Sequence, residues 1–165
     1  MAVTDDIVAT YRRPRHVLRR LLAAEAHEAR PLAYLIAALI VVYIAQWPAL
    51  SRADVLAGPD SPVPFTQRMV AAFLGVFALL PAFYLVAALS HIAARILGGQ
   101  GSFYAARLAL FWAFLAVTPL MLLRGLVAGL TGAGPALTAT GSLALAAFLW
   151  FWLSGLAAAE WGETR

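Results

Sequence analysis

The sequence predicts an all-α protein: an integral membrane bundle of four transmembrane helices, with an amphipathic interfacial helix near its N-terminus. Three observations predict it. Of the 165 residues, 63% are hydrophobic and only 12% are charged, against about a quarter charged in a soluble domain. The apolar residues gather in four runs, each near the ~20 residues that cross a bilayer as a helix. Clusters of glycine and proline punctuate the chain between and within those runs, where they mark turns or kinks.

Residues 1–13 are polar, carry Asp5 and Asp6, and are expected to be irregular. Pro14 suits the first turn of a helix, where its missing N–H costs nothing. From Arg15 to Ala29 the pattern is helical. Val17, Leu18, Leu21 and Leu22 share one side, and Arg15, His16, Arg19, Arg20 and His27 the other. A basic amphipathic helix beside a span is expected to lie in the membrane interface and attract anionic lipid. The alternative is a helix packed on the protein's own loops. Residues 1–30 therefore read as an N-terminal segment, 31–160 as the transmembrane domain and 161–165 as a polar tail.

The first span is expected over about 32–50. Pro31 stands before it, and Trp47 and Pro48 mark its far end, where an interfacial tryptophan belongs. Ala49-Leu50-Ser51 resembles a cleavage site, but the thirty-odd residues before the run are too many for a secretory signal, so the span is expected to stay. Gly58, Pro59, Asp60, Ser61, Pro62 and Pro64 make 51–68 a loop. The second span, about 69–89 with its helix continuing toward Leu97, contains Pro81, which should kink it. The third, about 104–123, reaches Thr118-Pro119, a second kink site. The fourth, about 136–159, follows the turn Thr131-Gly-Ala-Gly-Pro135 and contains Trp150 and Trp152.

All twelve basic residues are arginine, and the net charge is +4. In a membrane protein such an excess points to anionic lipid rather than nucleic acid. The absence of lysine and the abundance of alanine have the look of GC-rich coding, hence a bacterial inner (cytoplasmic) membrane. With the N-terminus inside, Arg12, Arg13, Arg15, Arg19, Arg20, Arg30, Arg95, Arg107 and Arg165 are internal, and only Arg52, Arg68 and Arg124 external. That bias predicts a multi-pass chain, N-in and C-in.

Between the second and third spans lies a basic, glycine-rich hinge. Gly98, Gly99 and Gly101 can reverse the chain there, with at least one expected at positive φ. Ser102 is placed to cap the next helix. Arg95 and Arg107 flank the turn, and Gln100 and Phe103 are expected to be exposed. With Arg15, Arg19 and Arg20 they would form one positive patch for a partner or a lipid headgroup. Arg124 is the candidate intramembrane charge: it either anchors the outer end of a short span or marks a functional path. Gly125-x-x-x-Gly129 offers a close helix approach.

Catalytic groups are scarce. No cysteine is present, which excludes thiolate chemistry and disulfides. Glu25-Ala-His27-Glu28 lacks the two-histidine face of a zinc site, and Gly98-Gly-Gln-Gly101 lacks the Lys-Ser/Thr of a phosphate loop. His91 reads as an interfacial histidine, or as a haem ligand that would need a second chain. No catalytic residue, metal set or cofactor is expected.

The stretch Ile92–Phe103, with Gly98-Gly99-x-Gly101 before an aromatic and an apolar span closing on Thr118-Pro119, resembles the Yip (Ypt-interacting protein) domain family. Pro14-Arg-x-Val-x-Arg-Arg-Leu-Leu22 is similar to the segment before the domain in bacterial members. The resemblance covers about 12–160. Eukaryotic members are five-span proteins of the Golgi and endoplasmic reticulum that bind prenylated small GTPases and curvature-shaping partners. This chain lacks their Asp-Leu-Tyr-Gly-Pro motif and their long N-terminal domain, and shows four spans. The resemblance implies a non-enzymatic membrane scaffold acting on lipid, a membrane-protein partner or a second copy of itself. The alternative is a small transporter or channel subunit, which a polar cavity near the midplane would favour.

Overall fold

A computed structural model describes residues 3–59 and 61–162. These residues form α1 (Val3–Thr10), α2 (Pro14–Ala23), α3 (Ala29–Ala57), α4 (Phe65–Phe77), α5 (Leu80–Ile96), α6 (Phe103–Ala116), α7 (Thr118–Thr131) and α8 (Pro135–Glu160). Among the described residues four helical stretches are long and apolar enough to cross a membrane: Ala29–Ala57, Phe65–Ile96, Phe103–Thr131 and Pro135–Glu160. The second is α4 and α5 in series, and the third α6 and α7.

The third span is the centre of the bundle. α6 packs against α3, α5 and α8, while α7 packs against α3 and α8. Every residue from Leu108 to Val117 is buried. That run is apolar on all faces, as a helix enclosed by other helices must be. The second span is its opposite. Leu85, Leu89, Ile92 and Ile96 on α5 all face outward, an apolar surface that lipid tails would cover and water would not tolerate.

Both expected kinks are present, each just before its proline. α4 ends at Phe77 and α5 begins at Leu80, with Pro81 in its first turn. A proline there loses no bond that the first turn would have made. α6 gives way to α7 at Val117, ahead of Pro119. The Thr118 hydroxyl donates to the Leu115 carbonyl at 2.8 Å, supplying one bond at the break. The glycine pair of α7 is used within the chain. A Cβ at Gly125 would overlap the Ala45 carbonyl oxygen, and one at Gly129 would lie 2.5 Å from Pro48 Cβ. α3 and α7 thus meet backbone to backbone, as small residues permit.

Several local expectations need correction. α3 starts before Pro31, which sits harmlessly in its first turn, and runs on through Pro48 to Ala57. Residues 51–57, expected in a loop, are therefore helical. The extension is held by Arg52, which donates to the Gly129 carbonyl at 3.3 Å and the Leu130 carbonyl at 3.1 Å. Those are orphan acceptors of α7's last turn, and a cation is favoured there. Residues 3–10, expected to be irregular, form α1, with Asp5 and Asp6 in its first turn, the favoured end for negative charge.

The amphipathic helix is present as α2, but it ends at Ala23. Its apolar face is already occupied by protein. Val17 and Leu18 are buried, with Leu18 lying over Gly155 of α8 beside Ala109 of α6. α1 and α2 form a hairpin against the bundle. Trp112 Nε1 donates to the Thr10 hydroxyl at 3.1 Å. Tyr11 meets Phe151 edge-on at 4.9 Å. Arg20 pairs with Asp6 across the hairpin.

Candidate functional site at the glycine hinge

The turn between α5 and α6 is built by its glycines. Gly98 lies at φ 84°, the positive value expected for one of the three. The Gly98 N–H donates to Arg95 O at 3.1 Å and the Gly99 N–H to Ala94 O at 2.8 Å. Those two bonds make a Schellman ending, which satisfies carbonyls the helix leaves open. Ser102 then accepts from the Ala105 N–H at 3.2 Å, capping α6 as its position predicts.

A carboxylate from the far end of the sequence closes the turn. Glu160, the last residue of α8, is fully buried as a side chain. Its Oε1 lies 2.6 Å from His91 Nδ1. Its Oε2 accepts from the Gly101 N–H at 3.0 Å. Its backbone carbonyl accepts from the Gln100 N–H at 2.8 Å. The glycines make room for it: a Cβ at Gly99 would lie 2.9 Å from Glu160 Oε2, and one at Gly101 2.6 Å from Ala159 O. Phe103 covers the His91 ring at 4.2 Å between centroids. A buried carboxyl group needs hydrogen-bond partners, and the His91 ring and the Gly101 N–H supply them. The clamp therefore fixes α5, α6 and α8 to one another at this end of the bundle, the hinge end.

The anticipated patch is brought together in part. Arg15 and Arg19 lie on the exposed face of α2 and Arg95 is exposed on the last turn of α5. Among the described residues none of these three side chains has a hydrogen bond or ion pair. Arg19, Gln100, Gly101, Ser102 and Trp161 line a cleft of about 1030 Å3 between α2 and the hinge. Arg20 and Arg107 are engaged instead. Arg20 pairs with Asp6, and Arg107 pairs with Glu28 at 2.7 Å. Gly99 is buried, whereas Gln100 and Phe103 are exposed. Arg165 lies outside the described residues. Arg124 stands at the other end of the bundle, half-buried, its Nε 3.2 Å from where a Cβ on Gly141 would be.

Sequence reasoning missed Glu160 and undervalued His91. They are 69 residues apart, so no local spacing links them. The available signal was a carboxylate directly at the end of an apolar span, which needs a partner wherever its helix docks.

Four apolar spans, the third enclosed by the other three, define a polytopic helical membrane protein. The sequence model of the Yip1 domain matches residues 8–164, and the chain belongs to that family. No curated protein matches it, and no solved structure does.

Proposed function

We propose that the protein is a non-enzymatic membrane scaffold that organises partner proteins and lipid headgroups through its hinge end. The observation that carries this reading is the filled centre. Leu108 to Val117, most of α6 and the residue after it, is buried, which leaves no channel for a solute along the bundle axis. The hinge end offers the opposite character. It holds a clamped, rigid turn, a cleft with polar lining, and exposed Arg15, Arg19 and Arg95. Exposed cations on a rigid base favour acidic lipid headgroups and acidic partner surfaces. The arginine bias supports placing this end in the cytoplasm of a bacterial inner membrane.

Crosslinking in native membrane followed by purification tests the reading. The parent should recover a reproducible set of membrane proteins, and Arg19→Gln/Arg95→Gln should lose it while keeping the parent's thermal midpoint. Neither side chain has a partner among the described residues, so their loss should leave the fold intact. Equal recovery by parent and variant removes the hinge from the function. A protein-dependent ion or solute flux in proteoliposomes would make the chain a transporter instead.

A further inference from the structure

α5 and α8 hardly touch, although both pack on α6. Between them runs a groove of about 430 Å3 open to the bundle's side. Phe83 and Val86 of α5 form one wall, Leu145 and Phe148 of α8 the other, and Phe114 the floor. The lining is apolar with one charged exception. Arg124 closes the groove toward the end away from the hinge, and Trp152 closes the deep end. The guanidinium side of Arg124 lies across Gly141, where any side chain would crowd it. Among the described residues Arg124 has no hydrogen bond or ion pair.

The dimensions are those of one lipid leaflet. Gly141 and Trp152 bound the groove along α8, and their separation corresponds to about 16 Å of helix rise. Half of a ~30 Å hydrocarbon core is about 15 Å. α6 and α7 together span 29 residues, about 43 Å, so roughly 7 Å projects beyond the core at each end. Arg124 is about 10 Å from the end of α7, which places its Cα about 3 Å inside the hydrocarbon edge. A long arginine side chain at that depth reaches the headgroup layer.

The geometry points to a binding site for an acidic phospholipid in the leaflet away from the hinge, its phosphate on Arg124 and one acyl chain in the α5–α8 groove. Charge complementarity selects the occupant. A cation at the hydrocarbon edge with no partner among the described residues is stabilised by an anion there, and the groove accepts an apolar chain and little else. A zwitterionic phospholipid brings its own cation with its phosphate and so answers Arg124 less fully than an acidic one. A peptide helix, about 10 Å across with its side chains, is too bulky for a groove of about 430 Å3. The site lies at the opposite end from the hinge, so its failure and that of the scaffold reading are separable.

Native mass spectrometry of the full chain, released from detergent with either phosphatidylglycerol or phosphatidylcholine, tests the assignment. The parent should retain phosphatidylglycerol roughly fivefold more than phosphatidylcholine, the ratio expected of one arginine near the membrane surface. Arg124→Gln should bring that ratio close to one. Ala82→Trp, a substitution at an exposed position on the groove wall, should block the groove and lower retention of both lipids. Inorganic phosphate at millimolar concentration should not displace the lipid, because it lacks the chain. Equal retention of the two lipids by the parent overturns the proposal, as does an unchanged ratio in Arg124→Gln. Unchanged retention in Ala82→Trp shows that the acyl chain lies elsewhere, and overturns it independently if Arg124→Gln does not fold.

Discussion

Glu160 and His91 show how much one buried pair can organise. The carboxylate is the last residue of α8, yet it holds the imidazole of α5 and the backbone of the turn that leads into α6. Both side chains are almost wholly removed from water. Removing one partner of such a pair leaves the other uncompensated, at a cost of about 3–5 kcal/mol. Glu160→Ala should therefore lower the unfolding free energy in detergent by about that amount, with the added loss of the acceptor for the Gly101 N–H. His91→Ala should cost a similar amount. The double variant should cost clearly less than the two together, because the second removal takes away a group already left unpaired. Additive costs, measured by denaturant unfolding of all three variants, would mean that the two side chains do not act as a pair.

At the scale of elements, hydrophobic runs and prolines make most of the architecture legible. The four spans, the breaks ahead of Pro81 and Pro119, and the glycine turn all follow from local chemistry. What was not legible depends on contacts between elements. α3 passes through Pro48 because α7 presents Gly125 and Gly129 to it and Arg52 ties the extension down. α1, a helix of eight residues, is too short to be stable alone. It forms where Thr10 meets Trp112 and Asp6 meets Arg20, pairings that no window of sequence reveals. The candidate site divides the same way: the turn was legible from its glycines, and the carboxylate that clamps it was not. Two glycines make a paired test of the close approach. Gly125→Ala places a methyl group against the Ala45 carbonyl and should destabilise by about 1–3 kcal/mol, the range for overpacking. Gly75→Ala, in α4 with open space where the methyl would go, should stabilise by roughly 0.5–1 kcal/mol through helix propensity alone. Thermal midpoints moving the same way in both variants would remove the α3–α7 contact from the account.

The whole molecule is polarised from end to end. The hinge, the Glu160 clamp and the exposed Arg15 and Arg19 of α2 gather at one end, while Arg52 and Arg124 stand toward the other. A bundle with this asymmetry should insert in one direction, with the arginine-rich end retained inside. The chain contains no cysteine, so a single introduced thiol reports its own position without background. Ala26, in the bend between α2 and α3, and Ala133, in the turn between α7 and α8, are both exposed and lie on connections at opposite ends of the bundle. In intact spheroplasts a membrane-impermeant maleimide should label Ala133→Cys at once. Ala26→Cys should react only after the membrane is opened. Labelling of both thiols from outside would contradict the three spans between them, and the reverse pattern would invert the molecule. Inversion would put the hinge end outside the cell, where cytoplasmic partners cannot reach it, and the scaffold reading would have to look for extracellular ones.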